Sequence, residues 1–205
     1  MNNDEALPKR KPTRLKNFDY STAGAYFITV CTRDRMQILS DVVRVYEGLS
    51  ATAPSDGATP VGEGLAPPET NDGTTPVGEG LAPPEIKFIT KLKPCGEIAK
   101  RNLQSINNRF PSVTVEAFII MPDHIHMILL LHRKTGGASP SPTIDDVICA
   151  FKSLTSRHCK EHLGVEKIFQ RSSADHIIRD WDDYETRRKY IYENPIRWYY
   201  KHLKQ

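Results

Sequence analysis

The sequence predicts an α+β domain in which helices pack on an antiparallel sheet of four to five strands. Three observations carry this. Apolar residues form short strand-like runs in Tyr26–Thr32, Val113–Met121 and His124–Leu131, they recur at helical spacing after Glu97 and after Thr143, and two of the strands follow one another directly. Tyr26–Thr32, YFITVCT, is aromatic and β-branched and forms the first strand. Glu97–Asn108 is helical and closes at Asn107, Asn108 and Pro111. Val113–Met121 is a strand, Pro122–Asp123 a tight connection, and His124–Leu131 runs back antiparallel to it. Thr143 caps a helix through IDDVICAFKSLTSRHCKEHL, whose Ile144, Val147, Ile148, Phe151 and Leu154 share a face and which Gly164 ends. A further strand lies within Ile168–Arg179, and Asp180 caps a last helix whose Asp182 and Asp183 complement the helix dipole. Strand, helix, strand, strand, helix, strand, helix is a ferredoxin-like or RNA-recognition-like order.

At 205 residues the chain has room for one domain, taken as 1–205. It has no apolar run of membrane-spanning length, and MNNDEALPKRKPTRLK carries charges where a signal peptide needs an apolar stretch, so a cytoplasmic protein without a membrane partner is expected. Cys31, Cys95, Cys149 and Cys159 are far apart with no CxxC pair, which argues for reduced, mostly packing thiols.

Residues 55–70, SDGATPVGEGLAPPET, recur as 71–86, NDGTTPVGEGLAPPEI. Two copies are too few for a solenoid. The segment 51–85 holds seven prolines and six glycines, with only Val and Leu to bury, and reads as a disordered loop inserted into the domain. It also carries six carboxylates and no Lys or Arg, so setting it aside raises the formal charge from +3 to +9 on the other 170 residues. That surplus favours a polyanion such as nucleic acid as partner. Residues 1–18 form a basic arm in which Lys9, Arg10, Lys11, Arg14 and Lys16 are candidate phosphate contacts, as are Lys152 and Arg157 on the helix after Thr143.

In FIIMPDHIHMILLL, His124 and His126 are two apart on a strand, so both imidazoles project from one face and can share a metal ion, while Ile125, Met127, Leu129 and Leu131 fill the other. The same pair also fits two surface or core histidines. Two ligands leave open positions, as catalytic metal sites require. In YETRRKYIYENP, Tyr190 and Asn194 stack on one helical face, with Tyr184 and Ile191 on another that can pack on the sheet. Tyr190 can then face a site with the Asn194 amide oxygen beside it as a possible ligand, and Pro195 should kink or end the helix.

Three stretches, MPDHIHMILL, IFQRSSADHIIRD and YIYENPIRW, resemble in order and spacing the REP-associated tyrosine transposases, single-tyrosine members of the HUH (His-hydrophobic-His) endonuclease superfamily. The resemblance covers the chain apart from the arm and the repeat, which departs from the family pattern. It implies an HUH palm, a Mg²⁺ or Mn²⁺ ion on His124 and His126 polarising a scissile phosphate, and in-line attack by Tyr190 giving a 5′-phosphotyrosine link and a free 3′-OH. Relatives complete the metal shell with a glutamine on the tyrosine helix; Asn194 occupies the comparable place. Asp175, His176 and Arg179 fall in the family's DHIIR stretch, with Asp175 and Arg179 on the strand face opposite His176, and these residues and Asp123 are supporting candidates. Arg179 is also a candidate DNA contact. The implied substrate is single-stranded DNA beside a short REP-like hairpin, bound by a monomer or homodimer that is nucleoid-associated when on DNA. Two other readings use the same residues: a hydrolytic nuclease with Asp123 or another base, and a nucleic-acid-binding sheet without chemistry.

Overall fold

A computed structural model describes residues 18–47, 85–133 and 142–202. The expectations for the basic arm up to residue 17, for the repeat up to residue 84 and for residues 135–141 lie outside the described residues. The chain divides into two units, Met1–Val43 with Phe88–Gln205, and Arg44–Lys87. The described part of the second unit is the outer ends of two strands, where the Arg44 guanidinium lies 4.6 Å over the Tyr46 ring.

In chain order the elements are β1 (Gly24–Cys31), a 3-10 turn (Arg33–Arg35), β2 (Ser40–Glu47), β3 (Glu85–Leu92), α1 (Pro94–Gln104), α2 (Ile106–Arg109), β4 (Val113–Ile120), β5 (His124–Leu131), α3 (Ile144–Leu163), β6 (Ala174–Ile178) and α4 (Trp181–His202). Four strands form one sheet in the order β4-β5-β1-β6. β1 runs antiparallel to both β5 and β6, and β4 antiparallel to β5. This is the order and direction expected of a ferredoxin-like domain. β2 and β3 pair as a separate two-stranded sheet. Sequence reading passed over both, because the repeat between them masks a hairpin whose strands begin and end in unrelated composition.

The pleat divides the sheet into two faces. On one, Tyr26, Ile28 and Val30 of β1 and Ile125, Met127, Leu129 and Leu131 of β5 join Ile98 and Leu103 of α1 and Ile144, Val147, Ile148 and Phe151 of α3 in the main core. On the other, Phe27, Ile128 and Ile191 form a smaller core under α4, with Tyr184 and Ile178 against it. β5 is therefore buried on both faces, which is why its apolar run is nearly unbroken.

Local rules explain most boundaries. α3 begins with a capping box in which the Thr143 hydroxyl accepts from the Asp146 amide at 3.2 Å and the Asp146 carboxylate accepts from the Thr143 amide at 2.8 Å, and it ends at Gly164, whose φ of 68° is left-handed. Asp180 caps α4 through the Asp183 amide at 2.8 Å. The first helix starts at Pro94 rather than Glu97, since proline suits the first helical turn, and breaks at Ser105 into α1 and α2. Gly96 is required there: a Cβ would lie 1.9 Å from the Leu39 carbonyl oxygen. Pro195 neither ends nor splits α4, which continues to His202. The lost Ile191 hydrogen bond and the prolyl clash cost about 3 kcal/mol, and packing on both sides outweighs them: Ile191 is buried in the smaller core and the Tyr199 ring packs, tilted, 4.7 Å from that of Phe88.

Two of the cysteines, Cys95 and Cys159, are buried as expected of packing thiols, whereas Cys149 is exposed; all four are free. Among the described residues no helix is long and apolar enough to cross a membrane.

Candidate active site

The antiparallel register sets His124 opposite Cys31 and His126 opposite Thr29 on β1, with both imidazoles on the α4 face and their ring centroids 4.5 Å apart. Each ring is held through Nδ1. That of His124 lies 2.5 Å from Asp123 Oδ1, and that of His126 lies 2.8 Å from the Thr29 hydroxyl. An ionised carboxylate only accepts, so His124 donates from Nδ1 and, when neutral, keeps the Nε2 lone pair free. The Nε2 of His126 is buried and has no hydrogen-bond partner among the described residues.

Electrostatics keep these groups poised. Burial, with the neighbouring His124 and Arg35, pushes the His126 pKa down to about 3 against a smaller opposing pull from Asp123. Burial raises the Asp123 carboxyl, but the hydrogen bond and charge of His124 and those of Arg35, 3.4 Å away, bring it below the ordinary carboxylate value. Asp123 thus orients His124, and its backbone carbonyl also accepts from the Thr32 amide at 2.8 Å and hydroxyl at 2.9 Å.

α4 delivers the third group. The Tyr190 ring centroid is 5.1 Å from that of His126 and 6.0 Å from that of Phe27, which itself stacks on His126 at 5.2 Å. Tyr190 is 37% exposed, while Asn194, one turn on, is buried. Arg35, Asp123, His124, Tyr190, Asn194 and Arg197 are among the residues around a cleft of about 490 Å³. The structure therefore brings together Asp123, His124, Tyr190 and Asn194 in one cleft, with the buried His126 ring packed against those of His124 and Tyr190.

Other candidates fall elsewhere. His176 faces α4, with Nε2 2.6 Å from Asp183 Oδ2 and 3.3 Å from the Arg187 guanidinium; Arg187 also bonds Asp183 at 3.1 Å and lies 5.6 Å over the Phe27 ring. This braces the tyrosine helix on β6. Asp175 sits on the opposite strand face. Arg179 does not share a strand face with it, because β6 ends at Ile178; it is exposed beside Ala25, Leu130 and Trp181, at the end of the sheet away from the histidines. Lys152 is turned from the expected phosphate contact to a structural one: its ammonium donates to the Gln170 and Arg171 carbonyls at 2.5 and 2.8 Å, and burial pushes its pKa down. Arg157 is exposed on the same helix, across the sheet from the histidines.

Sequence reading missed Thr29, Arg35, Phe27 and Arg197 as parts of this site. Arg197 was legible, three residues after Asn194 on the same helical face. The others come from strand register and a tight turn, which no local pattern reports.

No protein-family model matches the chain. An uncharacterised protein of Haemophilus influenzae is 22% identical over 204 residues, spanning 92% of this chain and 89% of that protein. Among solved structures, a REP-associated tyrosine transposase bound to a REP hairpin matches with a TM-score of 0.50 at 16% identity, over 90% of this chain and 73% of that one. The two share a fold. The REP-associated tyrosine transposase fold accounts for the four-stranded sheet with helices on it.

The donors in the cleft fit a divalent cation. A buried imidazole nitrogen without a partner costs the protein a desolvated polar atom unless something binds it. A second imidazole, fixed by a carboxylate, lies with its ring centroid 4.5 Å from that of His126, and the buried Asn194 lines the same cleft as that second imidazole. Among the described residues no group of three His, Cys, Asp or Glu converges, so the two imidazoles alone would leave an ion's remaining positions to oxygen donors.

Proposed function

We propose that the chain is a single-stranded DNA endonuclease and strand transferase of transposase type, with Tyr190 as its nucleophile. The observation that carries this is the approach of the Tyr190 ring to 5.1 Å from His126, although 64 positions separate them in the sequence. The shared fold with a protein solved on a REP hairpin supports hairpin DNA with a single-stranded flank as the substrate class.

The chain's residues supply the nucleophile, the donors for an ion and the cations for the strand. His124, His126 and Asn194 would hold Mg²⁺ or Mn²⁺, which when bound supplies Lewis-acid stabilisation of charge on the phosphate oxygens. Phe27 and His126 pack edge-on against the Tyr190 ring and fix its direction. The phenol gives up its proton to solvent water, its oxygen attacks phosphorus, and the phosphorus–O3′ bond breaks as solvent returns a proton to O3′. The products are a 5′-phosphotyrosine and a 3′ oxygen that takes a proton. Because the phosphotyrosine ester conserves the bond, another 3′-OH can reverse the step without ATP. Arg35 and Arg197 lie at the cleft to offset the charge of the bound strand.

Labelled hairpin DNA with a single-stranded flank and Mn²⁺ should give a covalent adduct that survives a denaturing gel. Tyr190→Phe should reduce it by about three orders of magnitude or more, with unchanged circular dichroism. Cleavage that persists in Tyr190→Phe would make water the nucleophile and end the proposal.

A further inference from the structure

Past Asn194, the cleft side of α4 continues through Arg197, Trp198, Lys201 and His202. With Tyr190 and Asn194 these residues recur at spacings of three and four, so they form one helical stripe. Strand-transfer chemistry uses only its first turn. Farther on, the Trp198 and His202 rings stack with centroids 4.0 Å apart and planes 25° apart, and His202 Nδ1 lies 3.1 Å from the Trp198 carbonyl oxygen, which holds the imidazole over the indole. The indole centroid is 5.8 Å from that of His124. Arg35, Arg197 and Lys201 line the same cleft; among the described lining residues the sole carboxylate, Asp123, is bonded to His124 and Arg35, and Arg197 also bonds Glu193 at 2.7 Å.

Stacked aromatic rings rimmed by cations, next to a site for a phosphodiester, match one ligand class. An unpaired nucleotide presents a flat π face and a negative charge together, whereas a duplex hides its base faces and a free phosphate has none. We propose that Trp198 and His202 form a platform on which the unpaired base adjoining the phosphate at the histidines stacks, with Arg35, Arg197 and Lys201 holding the strand's phosphates. The proposal rests on the strand-transferase reading for the position of that phosphate and adds what holds the nucleotide beside it. Tyr190 performs the chemistry; the platform sets where along the strand it acts.

The chain has two tryptophans, so Trp181→Phe leaves Trp198 as the reporter. Trp181 is 69% exposed and stacks on Tyr184 in the first turn of α4, far from the cleft. In EDTA, a thymidylate oligomer of about twelve nucleotides should quench Trp198 emission, and an abasic deoxyribose-phosphate oligomer of equal length and charge should not quench it and should bind about tenfold more weakly. Measured by anisotropy of labelled oligomers, Trp198→Ala should erase that difference in affinity and Trp198→Phe should keep most of it. Equal quenching or equal affinity for the two oligomers overturns the platform, whatever the folding of the Trp198 variants. The covalent-adduct assay reports separately on Tyr190: an adduct with no base dependence sinks the platform alone, and base-dependent quenching with no adduct from any hairpin sinks the strand-transferase reading alone.

Discussion

His126 is 5% exposed, flanked by Phe27, His124 and Tyr190, and its pKa is pushed down to about 3. A neutral imidazole in the folded chain and one that protonates near pH ~6.5 in the unfolded chain make stability depend on pH. Below pH ~6.5 the unfolded state binds more protons, so this contribution is complete above that value and falls as pH drops toward the folded pKa. Between pH ~7 and ~5 the loss should be about 2 kcal/mol, set by the unfolded pKa. Urea denaturation in EDTA at both pH values should show that loss in the wild type and a smaller one in His126→Asn. Equal losses in the two proteins would mean that His126 is not held neutral. A neutral ring keeps one nitrogen lone pair, and in the tautomer that donates from Nδ1 to the Thr29 hydroxyl that lone pair is on Nε2, available for a cation.

At the scale of the element, α4 joins the chemistry to the sheet. Ile191 anchors its middle, and Asp183 and Arg187 tie its first turns to His176 of β6 through contacts of 2.6 and 3.3 Å. Burial raises the Asp183 carboxyl, but hydrogen bonds from His176 and Arg187 bring it below the ordinary value, so the cluster favours the ionised acid. Removing one partner of a charge-assisted bond costs about 1.5–3 kcal/mol at most, and less here because His176 is partly exposed. His176→Ala should therefore lower the thermal midpoint by about 3 °C. It should also slow adduct formation more than it weakens oligonucleotide binding, since Tyr190 loses position while the cleft's cations remain. His176→Gln should recover part of the rate. A variant with wild-type adduct kinetics would show that the cluster stabilises the helix without positioning the tyrosine.

For the whole molecule, the repeat interrupts one unit whose two parts, Met1–Val43 and Phe88–Gln205, fold together. Its composition gives it little to bury, and lengthening a loop costs only about 0.6 kcal/mol per doubling. Replacing residues 51–84 by two residues, which leaves a five-residue connection between β2 and β3, should keep the unfolding free energy within about 1 kcal/mol of the wild type and adduct formation unchanged. A large loss of either would assign the repeat a role in the fold or the reaction. The sequence by itself determined the periodicities, the caps at Thr143 and Asp180, and the shared face of His124 and His126, because each depends on neighbours within a few residues. It also placed Tyr190 and Asn194 on one side of a helix by spacing alone. Local rules allowed Pro195 to end α4, and the packing of Ile191 and Tyr199 that carries the helix through it is nonlocal. Only the tertiary structure decided that Thr29 would hold His126, that Arg35 would reach Asp123, and that α4 would dock on the histidine face rather than beside α1 and α3. Those outcomes follow from strand register and from competition among buried surfaces, and both are settled by residues far apart in the chain.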